Sequence, residues 1–324
     1  MRVLVTGSSG FIGQHLVRAL SASGHEVSGL DKSNSAGVTS APLELCNLLD
    51  RESLRAALNR VQPDAVVHLA ARTDLAETLS VHGYAPNVDG VRNLIEAIRA
   101  TRSVKRAIFT SSQLVCRVGY VPASETDYAP DTPYGESKVI SERIVRDEDG
   151  GGAAWCLVRP TTVWGPGMSA HYQRFIRMVE AGRYFHVGKE PLFKSYGYIG
   201  NVVRQYEKLL VVPRDWIHRK TLYLADEKPM SLPAWADAIQ SALGAPPIRT
   251  LPVALARFLA AGGDIVNRLG WRSYPFNSFR LKNILTQYQL DLTETVRICG
   301  PSVITMEEGV ADLVAWYKSR VAPK

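Results

Sequence analysis

Cysteine is scarce: four residues in 324, with Cys46, Cys116, Cys156 and Cys299 far apart. That spacing offers neither a disulfide framework nor the close Cys pairs of a zinc site. The seven histidines are scattered, and none falls in H-E-x-x-H or another ligand cluster, so no metal is expected. No stretch reaches about 18 uninterrupted apolar residues, which excludes a membrane-spanning helix. The apolar run after Met1 is too short for a secretory signal. A cytoplasmic protein with no membrane partner is the expectation. Lys and Arg are spread along the chain without a basic run or a basic–aromatic repeat, so nucleic acid is not an expected partner either. Internal repeats and low-complexity segments are also missing.

What remains is an ordinary globular composition, 46 % hydrophobic and 21 % charged, with a formal net charge of +7. The chain is long enough for one large core or two unequal ones. The basic balance suits a solvated surface with some charge reserved for phosphates. Through the first half, short apolar strands alternate with amphipathic helices. Strands are predicted at Val3–Thr6, Glu26–Leu30, Ala65–Leu69, Ala107–Ser111 and Trp155–Val158, and helices at Phe11–Ala22, Arg51–Arg60, Val88–Ala100 and Tyr134–Arg146. That rhythm predicts an α/β fold: a Rossmann-type, doubly wound parallel sheet with helices on both faces. After about Pro166, Pro and Gly become frequent and helices outnumber strands. The predicted division is therefore a dinucleotide-binding domain at 1–166 and a smaller, mostly helical substrate lobe at 167–324, with a stretch such as 196–226 a candidate to return to the main sheet.

Gly7-Ser8-Ser9-Gly10-Phe11-Ile12-Gly13 lies between the first strand and the first helix. Glycine there lets the backbone turn tightly and approach a pyrophosphate, whose charge then sits on a helix N-terminus. Three glycines alone also suit any tight turn; their place straight after the first strand selects dinucleotide binding. Asp31 ends the second strand at the offset where a carboxylate holds the ribose 2′-hydroxyl and repels a 2′-phosphate, favouring NAD over NADP. Lys32 beside it weakens that preference. The ordinary alternative for Asp31 is a solvated strand-end residue.

Tyr134 and Lys138 stand four residues apart on one helix face. A free phenol titrates near 10, too high for a base at neutral pH; a fixed cation nearby is expected to favour the phenolate, with an oxidised nicotinamide adding a second positive charge. The phenol then takes a proton from a substrate hydroxyl as hydride leaves the same carbon. Ser112, emerging with Ser111 from a strand's carboxyl end, offers a hydroxyl for the substrate oxygen. The plainer reading of the pair is a strand-to-loop cap.

Together these segments resemble the extended short-chain dehydrogenases, the group of nucleotide-sugar epimerases, dehydratases and reductases. The matching segments are Thr6–Gly13, His68-Leu69-Ala70-Ala71, Asn87-Val88-Asp89-Gly90, Phe109-Thr110-Ser111-Ser112, the Tyr134/Lys138 pair, and Arg159-Pro160 leading to Trp164-Gly165-Pro166-Gly167. The resemblance implies that Gly7, Gly10, Phe11, Ile12 and Gly13 hold the NAD pyrophosphate. It gives Asp31 the adenosine ribose and has Leu69, Ala70 and Ala71 line the cofactor cleft. Lys32, Asn47, Leu48, Ser111 and Pro160 complete the cofactor set. Lys138 holds the nicotinamide ribose, with Tyr134 and Ser112 at the reacting carbon. Dehydratases of the group carry an acid after the serine pair; Gln113 stands there, so epimerisation or simple ketone/alcohol redox is expected instead.

Several positions depart from the family pattern. Cys116-Arg117 replaces a frequent Tyr-Gly, and Asn47 an adenine-contacting Asp. Thr162 takes the place of an Asn set against the sugar diphosphate, and Gly200-Asn201 that of an acidic pair. Arg72 and Arg280 are chosen over Lys194 and Arg204 as diphosphate partners, joining Ser112 and Thr162 as substrate-binding candidates. The leading expectation is an NAD-dependent epimerase of a nucleotide-linked sugar. The alternatives are a one-way reductase or dehydrogenase, and a non-catalytic NAD-binding protein. The resemblance also allows a homodimer built on the 88–100 and 134–146 helices.

Overall fold

The computed structural model describes residues 1–34, 41–74, 80–268 and 276–321. They form two compact units. The first gathers Met1–Val163, Gly197–Glu227 and Leu290–Val303; the second holds Trp164–Tyr196, Lys228–Gln289 and Ile304–Lys324. Among the described residues, no helix is long and apolar enough to cross a membrane.

The first unit is built on a seven-stranded sheet. Its early strands are β1 (Arg2–Thr6), β2 (Glu26–Asp31), β3 (Leu43–Leu45), β4 (Ala65–His68), β5 (Arg106–Thr110) and β6 (Ala154–Pro160). The seventh is the strand Lys220–Leu224, and the order runs 220–224, β6, β5, β4, β1, β2, β3. Every pairing is parallel. Parallel strands covered on both faces read as continuous apolar runs, and β4 and β6 are buried at every residue. The chain leaves β3 at one edge and re-enters beside β1 as β4. The carboxyl ends of β1 and β4 therefore flank the switch point where open α/β sheets bind ligands.

The helices of this unit include α1 (Phe11–Ala22), α2 (Arg51–Val61), α3 (Ala85–Ala100), α4 (Pro133–Asp147) and, after α5 (Ala170–Glu180) in the second unit, α6 (Ile199–Val211). Leu54 and Leu58 of α2, Leu94 and Ile98 of α3 and Val145 of α4 close over Leu4, Val66, Phe109 and Leu157 of the sheet. Each such leucine contributes about 1.5–3 kcal/mol through burial. Capping sets the helix starts: Asp50 accepts from Ser53 N at 3.0 Å, and Thr132 from Gly135 N at 3.1 Å ahead of Pro133.

In the second unit, Phe175 stacks on Trp235 at 5.0 Å between ring centroids, and Trp164 meets Trp235 edge-on at 5.5 Å. Helices dominate it, with two short strand pairs added. Phe185–Val187 runs parallel to Arg249–Leu251, and Phe193–Lys194 antiparallel to Met230–Ser231. Two- and three-residue strands carry no alternation that a sequence could reveal.

Candidate active site

The glycine loop is shaped by close backbone approach. Gly7 has φ +70°, and a Cβ there would lie 2.6 Å from Ala70 N. A Cβ on Gly13 would lie 2.1 Å from Gly7 O, whereas one on Gly10 would sit 3.1 Å from the same oxygen. Gly10 caps α1 without any side-chain acceptor, so the first-turn N–H groups at Phe11, Ile12 and Gly13 carry no side-chain cap. Asp31 closes the other side: its carboxylate accepts from Ser9 N at 3.0 Å and Lys32 N at 2.8 Å. A cradle that any Cβ would fill, an uncapped helix start and an adjacent carboxylate fit a dinucleotide. Lys32 is exposed, Leu48 is buried, and the Asn47 Oδ1 accepts from Leu49 N at 3.1 Å.

Beside this loop, Thr6 and His68 are register partners on β1 and β4, and their side chains meet at 2.8 Å. Burial, with the Lys138 charge adding to it, pushes the His68 imidazole down to about 3. It is therefore neutral, and its Nε2 is buried with no hydrogen-bond partner among the described residues. The segment that follows is anchored by two residues. Thr6 Oγ1 accepts from Ala70 N at 3.2 Å, and Asn87 Oδ1 from Arg72 N at 2.8 Å. The Asn87 amide donates to Arg72 O and to Ser137 Oγ, both at 3.0 Å. Leu69, Ala70 and Ala71 are thus fixed at the carboxyl end of β4, half-buried.

The structure brings Ser112, Tyr134 and Lys138 together. All three are buried, on the β5 exit and α4. The Ser112 hydroxyl stands beside the Tyr134 phenol, and Ser112 Oγ accepts from Leu114 N at 3.1 Å. Burial pushes Tyr134 up to about 12; Ser112 opposes the rise and Tyr84 adds to it. The phenol of the protein alone is therefore protonated at neutral pH. Desolvation outweighs the contacts around the phenol here, so the expected phenolate depends on the second positive charge that an oxidised nicotinamide would add. Lys138 is itself pushed down to about 8 by burial, partly offset by Glu142 one turn on. Its ammonium donates to Thr110 O at 2.9 Å, which aims it along the carboxyl end of β5. Ser111 Oγ is buried with no partner among the described residues, and Pro160 is buried at the end of β6.

Other candidates fare differently. The Arg72 guanidinium is engaged at home, to Asp74 at 2.8 and 3.1 Å and Gly83 O at 2.7 Å, beneath the Tyr84 ring. Thr162 lies half-buried just past β6. Arg280 lies in the second unit on the Ser278–Leu285 helix, whose N-cap Asn277 accepts from its backbone N–H at 2.9 Å. Asn201 is buried and donates to Asp226 Oδ1 at 2.8 Å, and burial pushes Asp226 up to about 6.

Two supports escaped sequence reasoning. Asn87 stood inside a recognised segment but had no role assigned to it. Glu142, four residues past Lys138, accepts from Arg159 at 2.8 and 2.7 Å and from Tyr128 at 2.9 Å, with both charges fully buried. Its i+8 spacing from Tyr134 was the available signal.

A family model described as the NAD dependent epimerase/dehydratase family matches residues 3–218. Over 260 residues the chain is 28 % identical to a 3 beta-hydroxysteroid dehydrogenase/Delta 5→4-isomerase of Mycobacterium tuberculosis, covering 75 % of this chain and 70 % of that one. It is 27 % identical over 316 residues to the N-acetyl-alpha-D-glucosaminyl-diphospho-ditrans,octacis-undecaprenol 4-epimerase of Escherichia coli O157:H7, covering 95 % and 92 %. In fold it is similar to a UDP-glucose 4-epimerase of Thermotoga maritima solved with UDP-glucose. The TM-score is 0.77 at 21 % identity, over 99 % of this chain and 100 % of that one.

Proposed function

The chain belongs to the NAD dependent epimerase/dehydratase family, and from that premise we propose that it epimerises a nucleotide-linked sugar by oxidising one carbon and reducing it again. It is an NAD-dependent enzyme of the epimerase/oxidoreductase kind. The observation that carries the finer reading is the buried Ser112–Tyr134 pair with its protonated phenol. Reversible chemistry at one carbon needs a single group that both removes and restores the hydroxyl proton.

A bound NAD would supply a reversible acceptor and donor of hydride. The chain's own residues manage everything else. Gly7, Gly10 and Gly13 would leave room for the pyrophosphate, and Asp31 would hold the adenosine ribose. Lys138, steadied on Thr110 O, would hold the nicotinamide ribose. The Ser112 hydroxyl holds the substrate oxygen against Tyr134. The Tyr134 phenolate form accepts the hydroxyl proton as the carbonyl develops and donates it back on return. Because burial disfavours that phenolate, it forms once positive charge is bound beside it. Gln113, placed directly after the serine pair, has no carboxylate to remove a carbon-bound proton, so dehydration is disfavoured.

A second reading, a one-way reductase or dehydrogenase, draws on one observation: the Arg72 guanidinium is already spent on Asp74 and Gly83 O. An arginine so engaged has less to offer a sugar diphosphate. The relationship to a steroid dehydrogenase points the same way.

The test incubates the protein with NAD and a panel of nucleotide sugars, following NADH absorbance and product stereochemistry by NMR. A new isomer without net NADH supports epimerisation, and NADH changing in step with substrate supports the second reading. Tyr134→Phe should lower turnover by about 10²–10⁴ while NAD still binds. Undiminished turnover in that variant would overturn the proposed chemistry.

A further inference from the structure

The Val253–Arg268 helix turns its small residues inward and its large ones outward. Ala256, Ala260 and Gly263 are buried, the two alanines in a cluster with Val187 and Leu281. On the other side Leu255, Phe258, Leu259 and Ile265 are 44, 76, 42 and 58 % exposed, and Phe279 on the Ser278–Leu285 helix is 67 % exposed. At 3.6 residues per turn the four outward side chains fall within an arc of about 120°. Gly262 lies inside that arc, and a Cβ built on it meets nothing within 4 Å. A helix that only covers a core carries its large apolar groups inward. This one holds them in a contiguous exposed stripe, the pattern of a surface that meets an apolar phase.

The charge around the stripe is predominantly positive, Asp264 being the one carboxylate of the helix. Arg257 and Arg268 run along the same flank, about 20° apart around the helix axis. A cavity of about 330 Å³ is lined by Arg257, Ser278, Leu281, Lys282, Leu285 and Thr286, placing two cations and two hydroxyls against two leucines. Among the described residues neither Arg257 nor Lys282 makes an ion pair. In sequence, residues 249–285 hold six cations (Arg249, Arg257, Arg268, Arg272, Arg280, Lys282) against one carboxylate, Asp264. That single segment carries +5 of the chain's formal +7.

We propose that this face of the second unit docks on an anionic phospholipid surface. Phe258, Ile265 and Phe279 enter the boundary between headgroups and acyl chains, and the Arg257/Lys282 cavity receives a lipid phosphate. Charge selects this occupant over a second copy of the chain, because two copies meeting here would bring like-charged segments together. The contact is a surface one, which explains why a search for long apolar runs gives no sign of it. It is independent of the chemistry at Tyr134.

The experiment is co-sedimentation of the full chain with phosphatidylcholine vesicles, with and without phosphatidylglycerol. Two double variants, Phe258→Ser/Phe279→Ser and Arg257→Gln/Lys282→Gln, accompany the wild type. Thermal unfolding confirms that each is folded, since the phenylalanines are exposed. Binding is expected on the anionic vesicles only, weakening with salt and reduced in both variants. The charge variant should lose roughly thirtyfold in affinity, the worth of two cations near an anionic surface. Inorganic phosphate should compete poorly, because it offers no apolar phase. Equal binding to both vesicle types, or wild-type binding by both variants, would overturn the proposal. So would absent vesicle binding together with self-association that Phe258→Ser/Phe279→Ser abolishes, which identifies a second copy as the cover.

Discussion

Asn87 donates its amide to Ser137 Oγ at 3.0 Å, and the same nitrogen reaches Arg72 O at 3.0 Å. One buried side chain thereby pins the segment after β4 to the helix that carries Tyr134 and Lys138. Asn87→Ala would remove one hydrogen-bond partner each from the Arg72 N–H, the Arg72 carbonyl and the Ser137 hydroxyl, the last of which keeps its bond to Tyr134 O. We expect a stability loss of about 1–3 kcal/mol. NAD affinity should weaken as the 69–72 segment loosens. Thermal unfolding with and without NAD measures both effects, and an unchanged Tm in both conditions would refute the anchoring role.

The glycine loop sets up a graded test. Gly13→Ala puts a methyl 2.1 Å from Gly7 O, a backbone atom that cannot swing aside. Gly10→Ala meets the same oxygen at 3.1 Å, where a shift of a few tenths of an ångström suffices. Gly13→Ala should cost about 1–3 kcal/mol or more and sharply weaken NAD binding, with Gly10→Ala well behind on both counts. Calorimetric titration of NAD into both variants reads the order directly. The reverse order would mean that the loop is not held by this contact.

His68 predicts an acid-side loss of stability. Its imidazole sits at about 3 in the folded protein, against 6.5 ordinarily. Between those values the unfolded chain binds a proton that the folded chain does not. This contribution is fully present above pH 6.5 and is lost as pH falls toward 3, at up to about 1.4 kcal/mol per pH unit. His68→Asn should flatten the stability profile below pH 6.5 relative to wild type. Urea unfolding at a series of pH values would show it, and parallel profiles would count against a buried neutral imidazole.

The Glu142–Arg159 pair is fully buried. Burial works against the Arg159 cation, yet Glu142 outweighs that cost and holds the guanidinium above its usual range. Glu142→Ala strands that charge and should destabilise by about 3–5 kcal/mol. The double variant Glu142→Met/Arg159→Met removes the stranded charge and should be less destabilised than the single one. Chemical denaturation of wild type and both variants decides the matter; an additive double variant would mean the two residues act separately.

The sheet and the glycine loop were legible because parallel strands announce themselves as short apolar runs and α1 opens directly on its glycines. Tyr134 and Lys138 were legible because helical spacing places them together without any tertiary knowledge. Asn87 and Glu142 were not, because their roles depend on partners 15 and 17 residues away, Arg72 and Arg159, met only after folding. Spacing reveals that a lysine is near Tyr134, whereas the depth of burial around the phenol belongs to the tertiary structure. In the second unit, two- and three-residue strands left no periodicity to read.

The edge strand Lys220–Leu224 has a consequence for biosynthesis. It pairs with β6, whose seven residues are all buried. A ribosome finishes β6 well before it reaches Lys220, and translation at about 5–20 residues per second leaves an interval of several seconds. During that interval β6 is an unguarded edge, a row of open backbone donors and acceptors ready to recruit a neighbouring nascent chain. The growing polypeptide therefore passes through a stage in which this edge is open, and the stage closes once residues 220–224 have emerged and paired.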